Sequence, residues 1–158
     1  MILSRPTVAE INLTAIKKNL KKLKSLSKDA LFYPVVKANA YGHGYKAVTK
    51  EIESLVHGLS VATTEEALSV RKITKKSILC MEGPYDLNEL NLLIRNQIDL
   101  VIHSHRQIDL LRGIKSLPRE IKVWIKIDTG MNRLGFKEEE IIDVYKKVVF
   151  NPKKIVIS

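Results

Sequence analysis

The feature that most limits how this chain can fold is a repeat in which an apolar, β-rich run is followed by a helical pattern. Six such runs occur: LFYPVVK (31–37), HGLSVAT (57–63), SILCME (77–82), DLVIHS (99–104), IKVWIKID (121–128) and KKIVIS (153–158). Each of the first five precedes an amphipathic stretch, and chemistry marks several helix starts. Thr63 with Glu66 fits a capping box, Asp86 with Glu89 is similar, and Ser104 with Gln107 opens the next helix. Pro118 closes that helix, and Pro152 follows another that begins near Glu138. Strands separated by helices need crossover connections, so the sheet is expected to be parallel.

A parallel sheet closes in one of two ways, as an open doubly wound sheet or as a barrel. No G-x-G-x-x-G follows the first run, which weakens the nucleotide-binding open sheet. The expected fold class is therefore α/β, a partial (β/α)8 TIM-type barrel with about six of its eight βα units present. With 158 residues, ending on a strand, the chain is expected to be a truncated barrel. Residues 1–12 precede the repeat, and RPTVAEI is expected as an extra strand of a separate C-terminal β-domain. Residues 13–158 form the barrel portion.

An apolar fraction of 45% and a charged fraction of 28% suit a soluble globular protein. No apolar run approaches the roughly 18 residues of a membrane helix, so no bilayer span is expected. No signal peptide is legible in MILSRPTVAE, and Cys80 is the only cysteine, so a reducing cytoplasm is the expected compartment. The net charge of +10 raises a nucleic-acid-binding module as one reading. Many of the lysines, however, fall in KKNLKKLKSLSK, from Lys17 to Lys28. Leu13, Ile16, Leu20, Leu23 and Leu26 recur there at helical spacing, which predicts one helix with an apolar face buried and a basic face in water. No aromatic residue interleaves the lysines as single-strand binders require, so a nucleic-acid partner is not expected.

Functional residues of α/β barrels gather at the C-terminal ends of the strands. Two such places here are chemically unusual. In PVVKANAYGHG (34–44), Lys37 ends an apolar run and is followed by small residues, Tyr41 and two glycines. Burial at a barrel mouth disfavours a charged amine, and a neutral amine is what Schiff-base chemistry with an aldehyde needs. Tyr41 offers a hydroxyl for a phosphate. The plain alternative is a solvated lysine leaving a strand. In IKIDTGMNRLGF (125–136), alternation sets Trp124, Lys126 and Asp128 on one face, opposite Val123, Ile125 and Ile127. If the first face lines the barrel, Lys126 needs a partner or neutralisation. Arg133, a short loop later, can point its guanidinium at an anionic oxygen; the alternative leaves both residues in water.

Together PVVKANAYGHG and KIDTGMNRLGF closely resemble the fold-type III, pyridoxal-phosphate-dependent alanine racemases, as their N-terminal portion. RPTVAEINLTAIKKNL resembles that family's opening, and VATTEEALSVRK its second βα unit. The resemblance runs in order along essentially the whole chain. It implies that Lys37 matches the lysine that carries pyridoxal 5′-phosphate covalently and acts as one of two bases at Cα. Tyr41 matches the tyrosine that bonds the cofactor phosphate. Arg133 matches the arginine that contacts the cofactor's phenolic oxygen and orients the substrate carboxylate. Lys126 matches a lysine often found carbamylated, a modification that lets it pair with Arg133. Asn39, Gly42, His43 and Gly44 match the motif and are given loop-shaping duty alone. His103 and His105 receive no metal role, since the family needs no metal.

The same resemblance implies a cytoplasmic homodimer interconverting L- and D-alanine, which supplies D-alanine to the cell wall. The second base is then a tyrosine of the partner subunit's C-terminal domain. A non-catalytic pyridoxal-phosphate carrier on the same barrel is the alternative, and the DTGMNRLGF segment speaks against it.

Overall fold

Five parallel strands lie side by side in chain order: β1 (Gly58–Val61), β2 (Ser77–Cys80), β3 (Asp99–Ile102), β4 (Ile121–Ile125) and β5 (Ile155–Ile157). The structure is a computed structural model and describes residues 7–27, 29–114, 117, 120–149 and 155–157. The first β-rich run joins the edge of β1 through one parallel bridge, Val35 to Ser60. There Val36 donates its N–H to the Ser60 carbonyl, and Ser60 donates to Pro34, both at 2.8 Å. Pro34 has no N–H to give, which limits this run to a bridge rather than a full ladder. Among the described residues six parallel segments are thus present, five of them regular strands.

A helix occupies every crossover, which is what a parallel sheet demands. These are α3 (Tyr45–Ile52), α4 (Thr64–Arg71), α5 (Leu87–Arg95), α6 (His105–Arg112) and α7 (Ile141–Val148). Leu59, Val61, Ile78, Cys80, Leu100, Ile102 and Val123 of the strands have no solvent exposure. They meet Ala67, Leu90, Leu93, Leu111 and Val144 of the helices in one continuous core. The other sheet face carries Val35, Met81 and Trp124 and stays partly open.

That open face is concave. The rings of Tyr33 and Trp124 meet edge to face with centroids 5.7 Å apart. Tyr33 belongs to the first run and Trp124 to β4, four strand positions away. In a flat sheet, neighbours about 4.8 Å apart would hold those positions roughly 19 Å from one another. Only a sheet curled toward closure brings the two rings together, so the fold is a partial TIM-type barrel with Tyr33 and Trp124 in its interior. Gly58 makes room for this, because a Cβ there would collide with the Tyr33 ring and the Ser77 carbonyl.

The helix starts follow the sequence with two departures. Thr63 and Glu66 form the expected capping box. Asp86 accepts the Glu89 N–H at 2.9 Å, but the Glu89 carboxylate accepts from Tyr85 N–H instead of closing the box. Ser104 makes no side-chain cap, contrary to expectation. Gln107 instead reaches past it to accept the His103 N–H at 2.9 Å, while its amide donates to the Glu82 carbonyl. Glu138 opens a 3₁₀ turn, Glu138–Glu140, that leads into α7. Pro118 and Pro152 lie outside the described residues, as do 153–154 and 158 of the last expected strand.

Helix α1 (Leu13–Leu26) begins at Asn12, whose side chain accepts the Ala15 N–H. Its apolar face is only half covered: Leu20 is buried, whereas Leu23 and Leu26 are exposed. The basic face is in water, and Lys17 pairs with Glu51 of α3 at 3.0 Å. Residues 7–12 lie in no strand; the remainder of the proposed extra strand falls outside the described residues. Among the described residues, no helix is long and apolar enough to cross a membrane.

Candidate active site

All strands run the same way, so the loops after Val36, β1, β2, β3 and β4 open on one rim. Lys37 sits on that rim, half buried, at the start of a five-residue turn, α2 (Lys37–Tyr41). This turn winds left-handed: Ala38, Asn39, Ala40 and Tyr41 have φ of 48°, 56°, 54° and 53°. For L-residues this conformation costs roughly 1–2 kcal/mol each, so specific hydrogen bonds must hold it. Those bonds are visible. Ala40 donates to the Val36 carbonyl at 2.9 Å and Gly44 to the Asn39 carbonyl at 2.9 Å. Asn39 Oδ1 accepts the Tyr45 N–H at 3.0 Å, and His43 Nδ1 bonds the Ala40 carbonyl at 2.8 Å. Gly42 and Gly44, with φ of 84° and 88°, let the chain leave the turn and enter α3. Asn39, Gly42, His43 and Gly44 all shape this loop.

The turn returns Tyr41 over its own lysine. Lys37 Nζ lies 5.9 Å from the Tyr41 ring centroid, within the range of a cation–π contact. The Tyr41 side chain is otherwise largely exposed, leaving its hydroxyl available to a ligand. Among the described residues no carboxylate pairs with Lys37. The amine is therefore held near a ring and left uncommitted.

The second motif leaves β4 as a loop whose far end comes back beside Ile127 in a parallel bridge with Phe136. Asp128 Oδ1 accepts the N–H groups of Gly130 and Asn132, each at 3.0 Å. Those two bonds, Asn132 first, hold the Asp128 carboxyl below its ordinary value. The chain returns at Phe136, which donates to the Lys126 carbonyl and accepts from Asp128 N–H, both at 2.9 Å. Gly135 has φ 126°, and a Cβ there would strike the Asp128 backbone. The expected strand over 121–128 therefore stops at Ile125, because the loop pairing replaces the sheet. Phe136 is buried against the edge of His105, whose Nε2 meets Glu140 at 3.0 Å. His103 turns elsewhere, bonding the Glu82 carbonyl at 2.9 Å through Nε2.

Lys126 lines a cleft of about 250 Å³ on the inner face with Met81, Val101, Trp124 and Ile125. Lys126 thus lies on the interior face, half buried and without an ion-pair partner among the described residues. Trp124 Nε1 is buried there and likewise has no hydrogen-bond partner. Arg133 is exposed at the loop tip. Lys37 and Tyr41 are brought together, whereas no bond or ring contact joins either of them to Lys126 or Arg133. Sequence reasoning missed Glu66, which accepts the Ala38 N–H at 2.7 Å. The capping box pointed to Glu66, but only as a helix residue.

The family model for the alanine racemase N-terminal domain matches residues 11–157. The chain belongs to the alanine racemase family. Its relatives include alanine racemases of Haemophilus influenzae, 42% identical over 146 residues, and Actinobacillus succinogenes, 41% identical over 145. In both cases the match covers 91% of this chain and 40% of the relative. The chain thus spans about 40% of the length of these curated relatives. The crystal structure of the biosynthetic alanine racemase from Pseudomonas aeruginosa superposes with a TM-score of 0.86 at 31% identity, covering 93% of this chain and 42% of that one. An alanine racemase of Clostridium difficile 630 in complex with cycloserine gives 0.82 at 33% identity, covering 99% and 44%. The family assignment agrees with the resemblance carried by the two motifs.

Proposed function

We propose that the complete protein is a pyridoxal 5′-phosphate-dependent alanine racemase with Lys37 as its cofactor-bearing lysine. The observation that carries this reading is the Lys37 amine itself. It stands on the rim of a barrel with an open inner face, 5.9 Å from the Tyr41 ring centroid and with no acidic partner among the described residues. An uncommitted amine beside an exposed phenol fits a phosphorylated aldehyde, as a salt-bridged lysine would not.

When bound, the cofactor supplies an electron sink for the charge left at Cα once its hydrogen departs as a proton. The residues of this chain do the rest. The Lys37 amine takes or returns the Cα proton on one face of the substrate. Tyr41 donates its hydroxyl to the cofactor phosphate. Arg133 offers a planar fork to the phenolic oxygen and to the alanine carboxylate. Lys126, once carbamylated, carries a negative charge that pairs with Arg133. A tyrosine of the partner subunit in a homodimer serves the opposite face. In this reading the protein is cytoplasmic and supplies D-alanine for peptidoglycan, and residues 1–12 contribute a strand to a separate β-domain.

The test is a coupled D-alanine assay on the complete protein with added cofactor, where turnover is expected. Cofactor binding without turnover would favour the non-catalytic carrier. The polypeptide of residues 1–158 alone is expected to be inactive. Among the described residues both edges of its sheet are unpaired. In this reading the opposite-face base, whose kind is typically worth about 10² to 10⁴ in rate, comes from another segment. Robust racemisation by that polypeptide would contradict this assignment of roles.

A further inference from the structure

We propose that Glu66 is the positioning residue for the Lys37 amine. The inference rests on Lys37 as the cofactor lysine and extends it to a side chain outside the lysine motif. Glu66 lies in the first turn of α4, half buried, and its two carboxylate oxygens serve two different loops. Oε1 accepts the Ala38 N–H at 2.7 Å. Oε2 accepts the N–H groups of Ala62 at 2.9 Å and Thr63 at 3.4 Å. The Ala38 N–H belongs to the peptide that begins at the Lys37 carbonyl. Fixing that peptide fixes the backbone from which the amine projects.

The left-handed turn begins at the same peptide, and four non-glycine residues do not stay there without outside help. Asn39 and His43 hold the turn from within. Glu66 alone of these side chains reaches it from another βα unit, 28 positions along the chain. A carboxylate suits the task, because its two oxygens take several N–H donors in charge-assisted bonds. Among the described residues Glu66 has no cationic partner. It therefore anchors the backbone beside Lys37 without capturing the amine in a salt bridge.

The experiment compares Glu66→Gln with Thr63→Ala in the complete protein. Glu66→Gln keeps the length but leaves one acceptor oxygen, uncharged, for which the Ala38 and Ala62 N–H groups must compete, so the bond to the turn is weakened even where it forms. Thr63→Ala removes the hydroxyl that caps Glu66 N–H at 3.3 Å and leaves the Ala38 bond in place. Amide exchange over residues 37–42 is followed by mass spectrometry. In parallel, the rate at which added pyridoxal phosphate becomes borohydride-trapped on Lys37 is measured. A misplaced reacting group loses about tenfold or more in rate, so Glu66→Gln should slow trapping by that factor and speed exchange of the turn. Thr63→Ala should lower Tm yet change neither readout. Glu66→Asp, which withdraws the carboxylate but keeps its charge, should behave as Glu66→Gln does and serves if that variant folds poorly. Wild-type exchange and trapping in the Glu66 variants would overturn the proposal, as would equal effects from Thr63→Ala. If the wild-type label is not on Lys37, the cofactor assignment fails instead, and the exchange data alone decide whether Glu66 holds the turn.

Discussion

Tyr33 and Trp124 touch edge to face at 5.7 Å although four strand positions separate them along the sheet. An edge-to-face pair is worth about 0.5–1.5 kcal/mol beyond its buried area. A double-mutant cycle with Tyr33→Leu and Trp124→Leu, read by urea unfolding, should return a coupling in that range. Strict additivity would mean that the rings do not meet and that the sheet is flatter than described.

Cys80 offers a test of the core. Its thiol has no solvent exposure and reaches the Ala62 carbonyl at 3.4 Å, and burial pushes its pKa up to about 12. From about pH 9 the unfolded chain releases this proton while the folded chain keeps it. The contribution is therefore complete below about pH 9 and is lost toward pH 12, at up to about 1.4 kcal/mol per pH unit. Cys80→Ala should show a shallower alkaline loss of stability than the wild type. Parallel pH profiles for the two proteins would contradict the burial of the thiol. Thiol reagents should also leave folded Cys80 unmodified.

The loop that carries Arg133 depends on the Asp128 carboxylate, whose two backbone bonds hold its pKa down. A lowered folded value means that the contribution is present above about pH 4 and is lost as pH falls through the folded value. Amide protection at Gly130 and Asn132 should therefore fall on acidification, and in Asp128→Ala at neutral pH. Unchanged protection in that variant would show that the 130–135 turn is held by Gly135 and Phe136 alone.

Arg133→Lys keeps the charge but loses the planar fork. A hydrogen bond to a charged group is worth about 1.5–3 kcal/mol, so kcat/KM of the complete protein should fall roughly 10- to 100-fold. Full activity in this variant would leave Arg133 as a surface residue.

The alternation of apolar runs and helical patterns was enough to locate the five regular strands and their parallel order, because period 2 and period 3.6 leave separate marks. The run over 31–37, however, makes only a bridge, and β4 ends at Ile125. The same alternation grouped Lys126 with Trp124 on one face without saying which way that face points, and the structure turns it to the inside. Other features had no such mark. Nothing in KANAY announces a left-handed turn, since no glycine stands at 38–41 and the bonds that hold it come partly from Glu66. Leu23 and Leu26 carry helical spacing yet stay exposed, because spacing marks a face and not what covers it. Ser104 looked like a cap, but Gln107 took the nearby N–H from a longer reach. Pairing of Lys126 with Arg133 was expected only through carbamylation, and the unmodified side chains make no contact.

The central claim is that Lys37 carries the cofactor. The complete protein should be loaded with pyridoxal phosphate, reduced with borohydride and mapped by peptide mass spectrometry. The account predicts a single pyridoxyl group on the peptide containing Lys37, absent in Lys37→Ala. A label spread over the surface lysines of α1, or one that survives Lys37→Ala, would contradict it.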